Sequence, residues 1–319
     1  MVGTSSLMHF MVDGLCLCCL YLLLPVYVDS GAVGVILTYN ILAFMTQPLS
    51  GLWVDRIRER HRVLLSAIVL LVLAVGVAIV SSWSERGGVP ALFLLTAILL
   101  GLGNSLFHVW GGKQTAVETG NDIRALGVFV STGALGLAVG LVFCSWSLVY
   151  GLLLAIVATA IIYVRCDVRR ESTSVISPNT FVPRRWLTSE RAWMIVVLVM
   201  LFVAYRSYTG EVFSRGIAKS EVLILAIGVV SMLGKMAGGW IALRMGVLKS
   251  LAVVLAGVAL CILFRGDSVA ILLAGIFLMN CTMPVTLYLA NDVLPGREGL
   301  AFGLLAAALI PGYLLVVYM

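Results

Sequence analysis

Residues 51–62 read Gly51-Leu52-Trp53-Val54-Asp55-Arg56-Ile57-Arg58-Glu59-Arg60-His61-Arg62. Four arginines between positions 56 and 62 cannot rest in hydrocarbon, where a charged side chain is costly. The flanks are the opposite. Residues 32–54 and 63–83 are apolar runs of the length that crosses a bilayer, which takes ~20 residues. A short arginine-rich loop between two such runs is a cytoplasmic hairpin under the positive-inside bias. Its reading sets both the kind of fold and the direction in which the chain threads.

Outward from this hairpin the same alternation continues. We expect eleven spans, near 7–28, 32–54, 63–83, 90–112, 125–147, 148–165, 192–213, 221–243, 247–264, 267–291 and 299–317. The composition agrees: of 319 residues 61% are hydrophobic and 11% charged, with a mean hydropathy of +1.11. Soluble domains carry ~25% charged residues, so a water-soluble globule of this size could not cover its surface. Disordered and collagen-like classes fail for want of polar, Pro-rich or Gly-periodic sequence. Transmembrane barrels need alternating strands of ~10 residues. These runs are continuous and twice as long, so the fold class is all-α, a polytopic helical membrane protein.

With the N-terminus in the cytoplasm, fifteen of the Lys and Arg residues fall in cytoplasmic loops and four (Arg86, Arg215, Lys219, Arg265) outside. Arg206 and Lys235 lie within spans. This bias accounts for the net charge of +6 without any nucleic-acid partner. No basic residue precedes Arg56, so the first span lacks the n-region of a cleavable signal and is expected to stay as helix 1 of an inner-membrane protein. Cys16, Cys18 and Cys19 sit on that apolar span with no second cysteine pair nearby, and read as polarizable filler.

The longest polar stretch, 166–191, holds Pro178, Pro183 and five arginines, and reads as a linker between residues 1–165 and 192–319. Thr188 to Arg191, a hydroxyl with Glu190 behind it, reads as the start of the next helix. The two parts echo each other. Gly51-Leu52-Trp53-Val54 matches Gly238-Gly239-Trp240-Ile241, and Gly103-Asn104 through Gly127 overlies Met279-Asn280 through Gly303. Repeated six-helix units are a recurrent transporter architecture, with the substrate path between the repeats. Here the second unit would end after five helices.

The 51–62 loop resembles the G-x-x-x-D-R-x-G-R-[KR] loop between helices 2 and 3 of the major facilitator superfamily. Gly51 would let helices approach, Asp55 would face a neighbouring helix N-terminus, and Arg56, Arg60 and Arg62 would hold the loop in the cytoplasm. Arg58 replaces the family's Gly. The second copy keeps Arg244 and Gly246 but has Ala242 where the Asp would fall, so the first-half latch should dominate gating, with Lys235 and Arg244 the basic residues of its counterpart. A second resemblance is narrower. Ser5-Ser6-Leu7-Met8-His9 with Asp13 and Pro25, and Gly101-Leu102-Gly103-Asn104-Ser105-Leu106-Phe107-His108, are similar to strings of the fosmidomycin-resistance branch of that superfamily. It implies an efflux transporter driven by proton antiport. Leu141 stands where antiporters of the superfamily carry Pro after a glycine run like Gly133, Gly136 and Gly140. Gly136-x-x-x-Gly140 reads in itself as a seam for close helix packing.

His9 and Asp13, four apart, share a helix face, and Asp13 should lie ~9 Å into the membrane and His108 ~27 Å from the outer side. All three therefore occupy the cytoplasmic third, and if helices 1 and 4 line one cavity they form a titratable cluster. An imidazole with an unperturbed pKa of ~6.5 suits proton exchange near neutral pH. The competing readings are a polar triad that merely ties helices together and, less favoured, a two-His, one-Asp metal site. We expect no resident metal and no cofactor. Arg206, in the outer half of its helix with Tyr205, Tyr208 and Glu211 nearby in sequence, suits an anionic substrate group; alternatively it pairs with Glu211 or snorkels outward. Asn104, Asn280 and Asn291 are further candidates for polar lining, and Asp292 for an interfacial charge.

No phosphate-binding G-x-x-x-x-G-K-[ST] loop, H-E-x-x-H or G-x-S-x-G motif occurs, so an ATP-driven pump or an intramembrane enzyme is not expected. The expected partners are a small-molecule substrate, protons and lipid, with the chain a monomer. The resemblance implies twelve helices where eleven are counted. Either a helix is missing from the sequence or it has been lost. The second case leaves an apolar flank on helix 11 for association and opens the alternative of a non-transporting sensor. A nutrient importer or uniporter of the same fold is the third reading.

Overall fold

The computed structural model describes residues 2–26, 32–57, 59–83, 90–173, 189–214, 220–264, 266 and 268–318. Among them ten helices are long and apolar enough to cross a membrane, and an eleventh has 17 residues. In chain order these are α1 (Val2–Leu23), α2 (Val33–Arg56), α3 (Arg60–Ser82), α4 (Pro90–Thr119), α5 (Ile123–Val142) and α6 (Trp146–Thr173). There follow α7 (Ser189–Ser214), α8 (Glu221–Met245), α9 (Val247–Leu263, the short one), α10 (Val269–Val293) and α11. The last is broken, Glu298–Ala307 and then Leu309–Tyr318. Pro311 lacks the N–H that would bond Ala307, which explains the break at Ala308.

Several helices outrun their apolar spans, each for a local reason. Helix α1 begins five residues early because the Ser5 and Ser6 hydroxyls donate back to the Val2 carbonyl, 3.0 and 2.7 Å, and so need no water. Helix α4 continues to Thr119 through polar residues that bond along the helix, Gln114 to Glu118 and Thr119 to the Thr115 carbonyl. Helix α6 runs to Thr173, into the stretch read from sequence as linker; Thr188 and residues 174–187 lie outside the described residues. So do Arg58, Arg86, Arg215, Lys219 and Arg265.

Helix α1 is the hub. Apart from the His9–Asp13 face it is largely apolar, and Met8, Val12, Leu15, Cys16, Cys18 and Cys19 are fully enclosed. It packs on α5, α6 and α4. The α1–α5 contact is close because glycines meet backbone there: a Cβ on Gly136 would strike the Phe10 carbonyl and one on Gly140 the Gly14 carbonyl. Helices α3, α6 and α9 instead present exposed Val69, Leu73, Leu154, Ile162, Leu260 and Leu263, the apolar exterior that lipid requires.

Two seams join the helices before residue 173 to those after 189. One runs along α5 and α8, the other along α2 and the first part of α11. Both are lined with glycine. On the second, Gly51 faces the Gly299 backbone and Gly303 the Gln47 carbonyl, leaving no room for side chains. Helix α2 is itself irregular: a π-helical segment, Ile41–Met45, interrupts it beside Gly101 of α4. The extra residue in that turn shifts the register, so that Tyr39, Asn40, Phe44 and Gln47 face one cavity.

Candidate functional site

Between the seams lies a cavity of about 510 Å³. It extends from His9, Asp13 and His108 towards the end of the bundle opposite the 57–59 loop, reaching Glu211 and Tyr313. Its wall is largely apolar, with Leu137, Met283, Phe302 and Leu305 among the lining residues.

At its base the three residues on α1 and α4 meet. His9 Nε2 lies 3.2 Å from Asp13 Oδ2, and His108 Nε2 lies 3.4 Å from Asp13 Oδ1. Each residue is less than one-tenth exposed. The Asn104 amide donates to Asp13 Oδ1 at 3.2 Å. The other imidazole nitrogens are already committed: His9 Nδ1 donates to the Phe129 carbonyl at 2.7 Å, and His108 Nδ1 to the Asn104 carbonyl at 2.9 Å. A carbonyl oxygen can only accept, so both Nδ1 atoms carry hydrogen. A neutral imidazole has one N–H, so each Nε2 can donate to Asp13 only when a further proton is present. Without one, two lone pairs face a carboxylate. Each proton on an Nε2 therefore adds a hydrogen bond to Asp13. The triad's donor atoms all lie within 4.8 Å, a spacing one cation could also span.

The local sequence explains the assembly. His9 and Asp13 are one turn apart on α1, as are Asn104 and His108 on α4, so each pair shares a face. Phe129 stacks on His9 with ring centroids 4.9 Å apart. Space is kept by α5, where a Cβ on Gly133 would collide with Asp13 Oδ2 and His9 Nε2. Elsewhere in the α4 string, Gly103 lets Leu71 close in and Ser105 bonds Thr46 and Ser50 of α2. The string therefore makes helix contacts at some positions and a site at others.

Arg206 reaches the cavity from α7; it is 9% exposed, and its Nη1 is buried without a hydrogen-bond partner. Glu211 lines the same cavity, and among the described residues no ion pair joins it to Arg206. Lys235, expected at a gate, lines the cavity instead, within electrostatic reach of Arg206 and Asp13. The sequence echo misplaced it because it lies nearly three turns before the C-terminal end of α8. Tyr205 and Tyr208 are not among the lining residues, and Tyr205 is half exposed. Each helical residue turns ~100° from the last, so the immediate neighbours of an inward Arg206 point elsewhere. Asn280 is also outside the cavity, its amide donating to the Ile276 carbonyl at 2.8 Å and to Ser231 at 3.4 Å.

At the loop end, Asp55 accepts the Gly299 and Leu300 backbone N–H groups, each at 2.9 Å, so the neighbouring helix N-terminus is that of α11. Lys113 of α4 locks this carboxylate in place, 3.5 Å from Asp55 Oδ1 and donating to the Val54 carbonyl at 2.8 Å. In the sequence Lys113 looked like one more cytoplasmic charge. Around it Arg60 pairs with Glu118 at 3.8 Å and Arg62 with Glu59, while Arg56 and Arg244 are exposed. A second tie went unforeseen. Asn121, in the α4–α5 turn, donates to the Tyr288 carbonyl and accepts from Asn291 of α10 at 3.0 Å. Its left-handed backbone, φ 62°, is a conformation Asn tolerates.

Apolar helices around a cavity with a polar base, closed at one end by a carboxylate cap and extending towards the other, define a membrane carrier. The family model of the Major Facilitator Superfamily matches residues 5–314, and the chain belongs to that superfamily. Its members are secondary transporters of small molecules, not enzymes. The fold is similar to that of a variant of the E. coli fucose:proton symporter FucP, with a TM-score of 0.68 at 14% identity, covering 100% of this chain and 91% of that one. It is also similar to a bacterial homologue of the iron transporter ferroportin in an outward-facing state, with a TM-score of 0.63 at 15% identity and coverage of 100% and 91%. No curated protein matches in sequence.

Proposed function

We propose that the protein is a proton-coupled efflux transporter of the inner membrane, working by alternating access with its N-terminus in the cytoplasm. The observation that carries this reading is the triad: one carboxylate facing two imidazole nitrogens whose other nitrogens are committed to carbonyls, at the base of the cavity. Such a site gains hydrogen bonds with each proton it takes. On this orientation the Asp55 latch closes the cytoplasmic side and the cavity faces outward. Residues 1–165 then rock against residues 192–319 about the 166–191 linker. Asp55, with Gly51, Arg56, Arg60, Arg62 and Arg244, serves the gate, to which we add Lys113. Arg206 meets the substrate, and Asn104 holds Asp13 in position. Similarity of the His9–Asp13 and Asn104–His108 strings to the fosmidomycin-resistance branch supports efflux as the direction.

The test is proton movement on adding candidate compounds to detergent-solubilised protein, with Asp13→Asn alongside. Substrate-linked proton release by the unaltered protein that vanishes in the variant is the expected result. Transport in vesicles that proceeds without any proton gradient, equally in Asp13→Asn, would overturn the coupling. Accumulation rather than extrusion of the compound would overturn the direction.

A further inference from the structure

Two cations, Arg206 and Lys235, line the cavity. Arg206 is nine-tenths buried and its Nη1 has no partner. Lys235 lines the same wall and interacts electrostatically with Arg206, charge against like charge. Among the described residues neither forms an ion pair. Asp13 attracts Lys235 across the cavity but spends its oxygens on His9, His108 and Asn104. Two neighbouring cations without an ion-pair partner in a largely apolar cavity are unfavourable unless something brings further negative charge to them. Much of the remaining wall is apolar, Leu137, Met283, Phe302 and Leu305 included.

Deepening the transporter reading on which it rests, we propose that the cargo is an amphipathic organic anion. Its oxyanion head group, with at least two acceptor oxygens, lies between Arg206 and Lys235, and its apolar body lies along the wall formed by α5, α10 and α11. A planar guanidinium offers a fork of donors to a carboxylate or sulfonate, and an ammonium adds a second charge from the side. A neutral or cationic molecule of the same shape would leave the pair unpaired. A cavity of about 510 Å³ holds a small drug-sized molecule.

The experiment compares four probes of one shape: benzoate, benzenesulfonate, benzylamine and benzyl alcohol. Binding to the purified, full-length protein is read by calorimetric titration and by the shift in thermal unfolding. The expected result is saturable binding and stabilisation by the two anions only. Arg206→Gln abolishes both, and Lys235→Gln weakens the anions at least ten-fold. Removing an unpaired buried charge should also leave Arg206→Gln without ligand at least as heat-resistant as the unaltered protein. If Arg206→Gln does not fold, Lys235→Gln alone decides. Equal binding of benzyl alcohol or benzylamine, or anion binding unchanged in Lys235→Gln, overturns the proposal. The same titration on Asp13→Asn separates the two readings. Anion binding that persists there with no proton linkage in either protein removes the coupling and leaves the cargo class. Proton linkage to a non-anionic compound does the reverse.

Discussion

At Asp13 three side chains converge on two oxygens, and each contact has a separate job. In the proposed coupling the imidazoles supply protons, while the Asn104 amide is a fixed donor that keeps Oδ1 turned towards α4. Asn104→Leu should therefore retain the fold but loosen the carboxylate, lowering proton-coupled transport about ten-fold, the worth of ~1.4 kcal/mol for a charge-assisted bond. A transport assay at fixed gradient checks it. Gly133 is the complementary case. A methyl group there would meet Asp13 and His9, so Gly133→Ala should cost ~1–3 kcal/mol in stability and shift the proton-coupled rate together with it. Thermal unfolding beside transport distinguishes this from loss of a packing contact alone, which would leave the surviving protein fully coupled. Of the candidate residues, His9 and Asp13 were legible as a pair because four-residue spacing on a helix is legible, whereas His108 joined them only through its depth and the family resemblance. Which residue on α7 faces inward was not, because apolar side chains are spread almost evenly round that helix; Arg206 turned in and Tyr205 turned out.

At the scale of elements, the α11 N-terminus and Asp55 form a single device. Unsatisfied N–H groups at a helix start attract a carboxylate, and burial strengthens the attraction to as much as ~2 kcal/mol. The close approach this needs comes from Gly51 and Gly299. Asp55→Asn keeps the shape and removes the charge. We expect it to shift the population away from the latched form by about ten-fold or more. Single cysteines at Leu305, in a background lacking the seven native cysteines, would report this: a membrane-impermeant thiol reagent should label the latched protein from the side opposite the loop and the variant from the loop side as well. Unchanged sidedness would deny the latch its role. Helix α5 begins with a smaller version of the same chemistry. Asp122 caps it and is held below the ordinary carboxylate range first by the Arg124 hydrogen bond. A depressed value means that the cap stabilises above the ordinary carboxylate pKa and fades as pH falls through the lower one. Asp122→Asn should accordingly flatten the acid loss of thermal stability below about pH 4. The effect is small, because the pair is largely exposed to solvent.

For the molecule as a whole, the helix count, the helical class and the hairpin between α2 and α3 came from the sequence, its loop read as 55–62 and found shorter because α2 runs on to Arg56 and α3 starts at Arg60. Their physical source is the bilayer: hydrocarbon thickness sets span length, and the cost of burying charge sorts arginines into loops. These are one-dimensional constraints, read from the chain without knowing any contact. The family motif around Asp55 was legible for the same reason, since it is local. What required the tertiary structure is whatever depends on distance between helices. Contacts between helices bring Lys113 to Asp55, Asn121 to Asn291, and Lys235 into a cavity with Arg206, although these partners lie tens of residues or more apart. Apolar periodicity carries no information on which helix meets which, because lipid and protein interior are equally apolar. The glycine contacts that decide it become visible only once the backbones touch.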